Sequence, residues 1–235
     1  MDADIVLFAY GGVAPETVDS LMAEFASIPP DVQVNFTRVS NDALISRSRS
    51  TVLSRFLAAG RDVCFMVDHD LSWRQGDLVA TCLKAHELGA LVAGLYSKRA
   101  FGQGVSSASQ HLDNFVVGAD EVREAVYLAA GFLAIPRRAV LRIVNELGHD
   151  KADPDMRVRQ ALWGAQNEPM YDFFRPVTVK SRIAEGYEYL SEDWAYSERA
   201  IVAGVPRFIY ALPHLTHHGG YGFTVADGVR VKETT

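Results

Sequence analysis

Residues 62–73 read DVCFMVDHDLSW, and this stretch decides how the chain is organised. The run from Val63 to Val67 is apolar and predicts a buried strand, followed at once by two aspartates with one residue between them. In an open parallel sheet, ligands bind beyond the carboxyl ends of the strands. Asp68 and Asp70 therefore predict a pair of carboxylates at that edge, where a divalent cation would relieve their mutual repulsion. The alternative is that one of the aspartates only caps the following turn.

Apolar stretches alternate with helical patterns through the first hundred residues. The sequence predicts strands at 5–10, 32–39 and 91–96 beside the one at 62–68, and helices at 15–27, between Asp42 and Gly60, and at 75–88. Ser40, Asn41 or Asp42 is expected to cap the second of these helices. Strands joined by helices through short links predict an α/β protein with a Rossmann-like, mostly parallel central sheet flanked by helices.

The second half of the chain is less regular. Residues 100–122 are rich in Gly, Ser, Gln and Asp and predict a surface loop or lid. Residues 125–136, AVYLAAGFLAIP, predict one or two strands split by Gly131, and the helix that follows is expected to end at Gly148. Because no stretch has the composition of a linker, a single domain is expected over residues 1–235.

The composition excludes several classes of protein. The chain has 235 residues, of which 49% are hydrophobic and 22% charged, as in a globular enzyme rather than a disordered chain or a fibre. Its net charge of −6 argues against binding nucleic acid or anionic lipid through a basic surface. The apolar runs are far shorter than the ~20 residues of a membrane-spanning helix. Cys64 and Cys82 lie in apolar stretches and predict two buried thiols, which favours a cytoplasmic location.

A pair of acids begins a helix in the second half. Residues 191–206, SEDWAYSERAIVAGVP, predict a helix with Ser191 at the N-cap and with Glu192 and Asp193 in the first turn. Acids are stabilised at this position by the helix dipole, which is reason enough for their presence. The functional alternative is that one of them faces the cleft as a general base; because their side chains point about 100° apart, only one is expected to do so.

Two further segments contain groups that suit a metal or a diphosphate. In LTHHGGYGF, residues 215–223, His217 and His218 lie in a predicted glycine-rich loop, either as surface residues or as ligands that complete a metal site. In the SRSRS segment, Arg47 and Arg49 lie on the helix that begins near the end of the second strand. A guanidinium forms bidentate hydrogen bonds with diphosphate oxygens, although exposed helical arginines are usually only solvated.

Together these segments resemble the GT-A fold glycosyltransferases, which use nucleotide-sugars, and in particular their family-2-like members. The family blocks "aRN…fl…fiDxDi.w", "vv.g.Yp.k", "G.gf..i.r.v", "EDy.fc.r....G" and "l.H.G.y" correspond, in that order, to ISRSRSTVLSRFLAAGRDVCFMVDHDLSW, LVAGLYSKR, AAGFLAIPRRAV, SEDWAYSERAIVAG and LTHHGGYGF. The resemblance covers residues 4–223. It departs from the family at Ser50, where an Asn is common, at His69 inside the D-x-D motif, and at 149–172, which has no counterpart.

The resemblance implies a donor site and its metal. Asp68 would hold the ribose of the donor, and Asp70, with His217, would hold a Mn²⁺ or Mg²⁺ ion on its diphosphate; both D-x-D carboxylates count as metal-ligand candidates. The same resemblance assigns to the pocket of a UDP- or GDP-sugar the residues Tyr10, Gly11, Arg47, Arg49, Trp73 and Gly131. For Tyr10 and Trp73, packing in the core is an equal alternative.

The resemblance also implies the reaction, a metal-dependent transfer of a sugar to an acceptor hydroxyl with inversion. Residues 1–100 would bind the nucleotide-sugar and residues 101–235 the acceptor. Asp193 is assigned as the base, and Glu192 as a stabiliser of the helix end or a contact to the acceptor. A glycan, a small molecule and, against the acidic balance, a hydroxymethylated nucleic-acid base all remain open as acceptors.

Two other functions remain open at this stage. A sugar-phosphate nucleotidyltransferase would use a related sheet, but it needs a basic residue in the glycine-rich loop after the first strand, which AYGGVAPET lacks. A non-catalytic nucleotide-sugar-binding module would bind the nucleotide without turnover.

Overall fold

The structure is a computed structural model that describes residues 1–99, 101–102, 104–107, 115–162, 164 and 168–228. In this part of the chain the strands are β1 (Asp2–Phe8), β2 (Gln33–Val39), β3 (Val63–Asp68), β4 (Leu71–Ser72), β5 (Leu91–Gly94), β6 (Val122–Glu124), β7 (Phe132–Pro136), β8 (Gln160–Ala161), β9 (Met170–Tyr171), β10 (Val177–Lys180), β11 (Tyr187–Leu190), β12 (Arg207–Tyr210), β13 (Thr216–His218) and β14 (Gly222–Thr224). The helices are α1 (Pro15–Phe25), α2 (Ile45–Ala59), α3 (Asp77–Leu88), α4 (Arg137–Leu147), α5 (Glu192–Val202) and α6 (Val225–Gly228).

The main sheet confirms the predicted α/β class. Within the described residues it has seven strands in the order β2-β1-β3-β7-β5-β12-β6. Five of them run in one direction, whereas β7 and β6 run in the other. Of the segment 125–136, only the part after Gly131 is a strand of this sheet, and it lies antiparallel between β3 and β5. All five residues of β7 are buried, so their apolar pattern contains no signal for the direction of the strand.

Alternate side chains of the central strands pack into two separate apolar layers. On β1, Ile5 and Leu7 belong to the layer under α1 and α3, and Val6 and Phe8 belong to the layer under α2, α4 and α5. Phe65 of β3 is fully buried in the first layer. Burial of a side chain of this size is worth about 1.5–3 kcal/mol, and these two layers fix the positions of the strand ends.

Glycines end the helices as predicted, but the start of α2 differs from the prediction. Gly60 and Gly89 take left-handed conformations at the C-caps of α2 and α3, with φ of 79° and 63°. Helix α2 begins at Ile45 rather than directly after Ser40, Asn41 and Asp42, because Asp42 forms a turn that precedes the helix. The Asp42 carboxylate accepts the Leu44 N–H at 3.0 Å and pairs with Arg47 at 2.6 Å.

The predicted glycine-rich loop at 215–223 is largely a small sheet. Strand β13 pairs with β14 and with β4, the two-residue strand that directly follows Asp70. The His218 N–H donates to the Asp70 carbonyl at 2.7 Å, which places this sheet beside the D-x-D segment. The loop prediction was wrong here because only Gly219 and Gly220 lie at the turn, whereas Gly222 is paired with His218 in β14.

The segment predicted to be a lid, 100–122, is described only in part, since residues 100, 103 and 108–114 lie outside the described residues. Its start is anchored by a bridge between Ser97 and Val105. The N–H groups of Gly102 and Gly104 donate to the carbonyls of Asp227 and Gly228. Ordering of this segment on donor binding stays a prediction.

Cys64 and Cys82 are buried and unbridged, as predicted. Among the described helices, none combines the length and the apolar character that crossing a membrane requires.

Candidate active site

A cavity of about 380 Å³ opens at the carboxyl edge of the main sheet. It is lined by Phe8, Val39 and Asp68, which are the last residues of β1, β2 and β3. This is the edge at which open α/β sheets bind their ligands, and the volume is in the range of small-molecule sites. Glu192 and His217, from the second half of the chain, line the same cavity, so both halves build one site.

Arg49 is the buried centre of this cavity. Its Nη2 lies 2.7 Å from Asp68 Oδ1, and its Nη1 lies 2.7 Å from Glu192 Oε1. Burial disfavours its charged form, but the charges of Asp68 and Glu192 outweigh burial and raise the pKa of Arg49. The guanidinium is therefore a fixed cation that joins α2, β3 and α5, and both of its amino ends are engaged by carboxylates.

The two acids at the start of α5 both line the cavity, whereas the sequence predicted that only one would face it. The reason is that the first turn of α5 itself borders the cavity. Burial raises the pKa of Glu192 against the attraction of Arg49, and the charge of Asp193 adds to the rise. Asp193 Oδ1 accepts the Ser191 hydroxyl at 2.6 Å and the Trp194 N–H at 2.8 Å. Its Oδ2 has no hydrogen-bond partner among the described residues.

Asp70 and His217 meet in one corner of the cavity. His217 Nδ1 lies 2.9 Å from the Ser97 carbonyl oxygen, which can only accept, so Nδ1 has the hydrogen. Nε2 lies 3.4 Å from Asp70 Oδ2 and donates to this carboxylate when it is protonated. Arg99 Nη1 approaches the same carboxylate oxygen at 3.1 Å.

Positive neighbours keep the Asp70 carboxyl ionised. Burial alone would raise its pKa, but the hydrogen bond from His217 and the charges of His217, His69 and Arg99 outweigh burial and hold the pKa below its ordinary value. An ionised carboxylate beside an imidazole Nε2, which can give up its proton to a metal, is a donor set that suits a divalent cation.

The fit of these residues to a metal is partial. Within the described residues, no three His, Cys, Asp or Glu side chains come together as a complete metal site. Asp70 and His217 supply two ligands, and the remaining positions would fall to oxygens of a bound ligand. Asp68 is not grouped with them. Its Oδ1 is paired with Arg49, and the assignment of Asp68 as a metal ligand stays a prediction.

Gly131 allows two other groups of the cavity to approach closely. A Cβ at this position would lie 2.3 Å from the Tyr96 hydroxyl oxygen and 3.0 Å from Asp68 Oδ2. The Gly131 N–H donates to the Tyr96 hydroxyl at 3.2 Å, and the Asp68 N–H donates to the Gly131 carbonyl at 2.9 Å. The glycine thus leaves room for side chains of the protein itself, whereas the sequence placed it near a sugar.

Tyr96, Arg99 and His69 also line the cavity and were missed by the sequence analysis as site residues. Tyr96 and Arg99 follow β5, which ends at the same edge as β3. The signal that could have found them was the polar LYSKR stretch after a predicted strand.

Three of the assigned donor-site residues do not line the cavity. Arg47 faces away because it is two residues, or about 200° of helix, from Arg49. Trp73 is 6% exposed in the core, where its indole N–H donates to Glu24 at 3.2 Å. Gly11 lies just outside, and its carbonyl accepts from Arg38 at 2.8 Å.

Tyr10 and His217 line the cavity, whereas His218 does not, and their assigned roles stay predictions. Tyr10 lines the cavity with 67% of its surface exposed. His217 and His218 are neighbours in strand β13, so their side chains point to opposite faces. His218 Nε2 lies 2.7 Å from the Ser72 hydroxyl, outside the cavity.

Comparison with known proteins adds evidence on the fold. No protein-family profile matches the sequence, and a search of curated proteins found no match. The structure is similar to that of A197 from STIV, with a TM-score of 0.60 and 14% identity over 100% of both chains. It is also similar to GalNAc-T7, solved with UDP, GalNAc and Mn²⁺, with a TM-score of 0.51 and 8% identity. That match covers 92% of this chain and 43% of the GalNAc-T7 chain. The chain therefore has a GT-A-like fold.

Proposed function

We propose that this protein is a metal-dependent glycosyltransferase that moves a sugar from a nucleoside-diphosphate sugar to an acceptor hydroxyl. The observation that supports this most directly is the geometry of one cavity. Asp70 Oδ2 and His217 Nε2 converge in one corner, and Asp193 has a free carboxylate oxygen at the start of α5. The likeness to GalNAc-T7, a protein solved with UDP and Mn²⁺, supports the same proposal.

The charges around the cavity support the dependence on a metal. The carboxylates that line it are Asp42, Asp68, Asp70, Glu192 and Asp193, and the arginines among its described lining residues are Arg49 and Arg99. A diphosphate entering this acidic cavity is repelled unless a cation accompanies it. A Mn²⁺ or Mg²⁺ ion bound by Asp70 and His217 would neutralise the charge that develops on the leaving nucleoside diphosphate.

The residues of the chain then have separate roles. Asp68, held by Arg49, presents its second oxygen to the ribose, and Tyr10 offers an exposed ring to the base of a UDP- or GDP-sugar. Asp193 Oδ2 accepts the proton of the acceptor hydroxyl as the glycosidic bond forms. Direct displacement from that side inverts the anomeric centre. Glu192, fixed by Arg49, borders the acceptor.

The remaining assignments belong to the same proposal. We assign nucleotide-sugar binding mainly to residues 1–100 and acceptor binding to residues 101–235, within one domain. The two free thiols, Cys64 and Cys82, favour the cytoplasm. The acceptor is a hydroxyl-bearing glycan, small molecule or, less in keeping with the acidic charge, a hydroxymethylated base.

Calorimetry with UDP, in the presence of Mn²⁺ or of EDTA, tests the donor site. We expect UDP to bind only with Mn²⁺, and Asp70→Asn and His217→Ala to weaken this binding while the fold is retained. His218→Ala is the matched control, because His218 is the adjacent residue and faces away from the cavity. Equal UDP affinity with Mn²⁺ and with EDTA in the unmodified protein would contradict the proposal.

Asp193→Asn tests the reaction itself. A panel of nucleotide-sugars and acceptors is assayed for release of the nucleoside diphosphate, and the anomeric configuration of the product is read by NMR. With UDP affinity unchanged, transfer should fall by about 10²–10⁴-fold, as for loss of a general base. Near-normal turnover or a retained configuration would assign the acid pair to binding only, and UDP binding with no turnover in the unmodified protein would indicate a binding module.

A further inference from the structure

We infer that Arg99 couples cation binding to diphosphate binding by competing with the cation for Asp70. The inference rests on the proposed function, because it concerns the diphosphate of the same donor. Arg99 Nη1 lies 3.1 Å from Asp70 Oδ2, the oxygen that also faces His217 Nε2 at 3.4 Å. When a diphosphate is bound, it draws the guanidinium away, and Asp70 becomes available to the cation.

The competition follows from the sharing of one oxygen. A cation between Asp70 and His217 would need the Oδ2 lone pairs that Arg99 contacts, and it would lie next to a second positive charge. Like charges at this distance repel more strongly in a half-buried cavity than in water. With no diphosphate present, Arg99 therefore lowers the affinity of this corner for a cation.

Of the two arginines among the described lining residues, Arg99 is the one that can turn to a diphosphate. The side chain of Arg49 is 4% exposed, and both of its amino ends are held by carboxylates. The side chain of Arg99 is 53% exposed, and Asp70 is its contact among the described residues. A guanidinium has five N–H donors in a planar fork that matches phosphate oxygens, so Arg99 keeps most of its donors for a ligand.

The backbone just before Arg99 is anchored by hydrogen bonds to residues 104–105. Ser97 forms a bridge with Val105, and the Lys98 N–H donates to the Gly104 carbonyl at 3.2 Å. A Cβ on Gly219 would lie 3.2 Å from Arg99 Cδ, so the glycine leaves a passage for the arginine stem. The carbonyl of Ser97 also orients His217. The segment from Ser97 to Arg99 thus orients His217, a metal-ligand candidate, and supplies Arg99, the competitor of the cation.

Reciprocity makes the inference measurable. If a diphosphate removes a competitor of the cation, it raises the cation affinity, and the cation raises the diphosphate affinity by the same factor. Coupling of this kind amounts to about 5–150-fold in affinity. Direct coordination of the cation by the diphosphate also contributes to the coupling. Substitution of Arg99 separates this contribution from the competition at Asp70.

The experiment titrates Mn²⁺ into the full chain, followed by the EPR signal of free Mn²⁺, with and without UDP. The variants are Arg99→Ala, Arg99→Lys and the matched control Lys98→Ala, an exposed neighbouring cation that does not line the cavity. We expect Arg99→Ala to bind Mn²⁺ alone more tightly than the unmodified protein, by about 5-fold or more. It should bind UDP more weakly and show a smaller coupling factor. The affinities of Arg99→Lys should lie between those of Arg99→Ala and the unmodified protein, and the affinities of Lys98→Ala should match those of the unmodified protein.

The outcomes separate this inference from the proposed function. Unchanged or weaker binding of Mn²⁺ alone by Arg99→Ala overturns the inference, even if Mn²⁺ and UDP bind the unmodified protein together. Failure of the unmodified protein to bind UDP with Mn²⁺ overturns the proposed function, while the Mn²⁺ titrations without UDP still decide the competition at Asp70. Absence of any Mn²⁺ binding by both proteins overturns both.

Discussion

Replacing Arg49 with methionine removes the buried cation of the cavity and keeps a side chain of similar length. Asp68 and Glu192 then lose the partner that each contacts at 2.7 Å. Asp70 and Asp193 lie in the same cavity, so the change leaves a cluster of acids that no buried arginine compensates. We expect a large loss of stability, because two carboxylates remain in a partly desolvated site without their counter-ion.

The magnitude follows from the exposure of the two acids. Removing one partner of a fully buried ion pair costs about 3–5 kcal/mol. The side chains of Asp68 and Glu192 are 30% and 19% exposed, so water screens part of the unpaired charge. We therefore expect the low end, about 3 kcal/mol, and a melting temperature lower by about 6–12 °C for a chain of this length.

The assay is urea unfolding of Arg49→Met beside Arg47→Met, a matched control on the same helix. Arg47 has a 43% exposed side chain, and its partner Asp42 is 9% exposed. Because water screens the arginine, we expect this pair to contribute about 1 kcal/mol, less than the pairs of Arg49. Equal losses in the two variants would refute the reasoning.

The pH dependence of the stability loss in Arg49→Met is a second test. The pKa of Glu192 is already raised from its ordinary value of 4.5, mainly by burial. Without Arg49 it rises further, so the folded variant binds more protons than the unfolded chain in a wider window above 4.5. The stability of the variant should then fall as the pH rises through that window. The gap to the unmodified protein should be larger at neutral pH than near the lower end of the window, and a gap that is constant with pH would argue against an uncompensated acid.

Three further substitutions separate core residues from site residues. Trp73→Phe should lower the free energy of unfolding in urea by about 1–3 kcal/mol, because the buried Glu24 loses one of its three hydrogen-bond donors, the others being the N–H groups of Gly76 and Val79. It should leave UDP affinity in calorimetry unchanged, and a selective loss of UDP binding would show that Trp73 belongs to the site. Gly131→Ala should lower the free energy of unfolding by about 1–3 kcal/mol through overpacking and should weaken UDP binding, since the new Cβ displaces Tyr96. Normal UDP binding would show that Tyr96 can move aside without affecting the site. Tyr10→Ala should weaken UDP binding by about 1–3 kcal/mol, the usual contribution of base stacking, with no change in the midpoint of urea unfolding. Unchanged UDP affinity would exclude stacking of the base on this ring.

The sequence predicts best where local chemistry decides the outcome. The apolar run before Asp68 specifies a buried strand, which ends at Asp68. Gly60 and Gly89 end their helices because a left-handed residue is needed there. These features depend on a few consecutive residues, and the structure confirms them.

Contacts that depend on distant residues were not predictable in the same way. Arg49 and Arg47 look equivalent in the SRSRS segment, and only the packing of α2 against β3 and α5 decides which of them is buried. The pairing of β13 with β4, which brings His217 to Asp70, requires the register of two very short strands. Arg99 was not singled out within the LYSKR stretch, because its contact depends on Asp70, a carboxylate from a distant segment of the chain.

The insertion of β7 between β3 and β5 has a consequence for how the protein is made. Strands β3 and β5 are not paired with each other in the described sheet, because β7, residues 132–136, lies between them and pairs with both. During synthesis, the first hundred residues can therefore form the edge β2-β1-β3 but cannot close the centre of the sheet. Pairings so distant in sequence form late in folding. The carbonyl of Gly131 fixes Asp68 only once β7 is in place, so the cavity at the carboxyl edge of the sheet stays incomplete until residue 136 has left the ribosome.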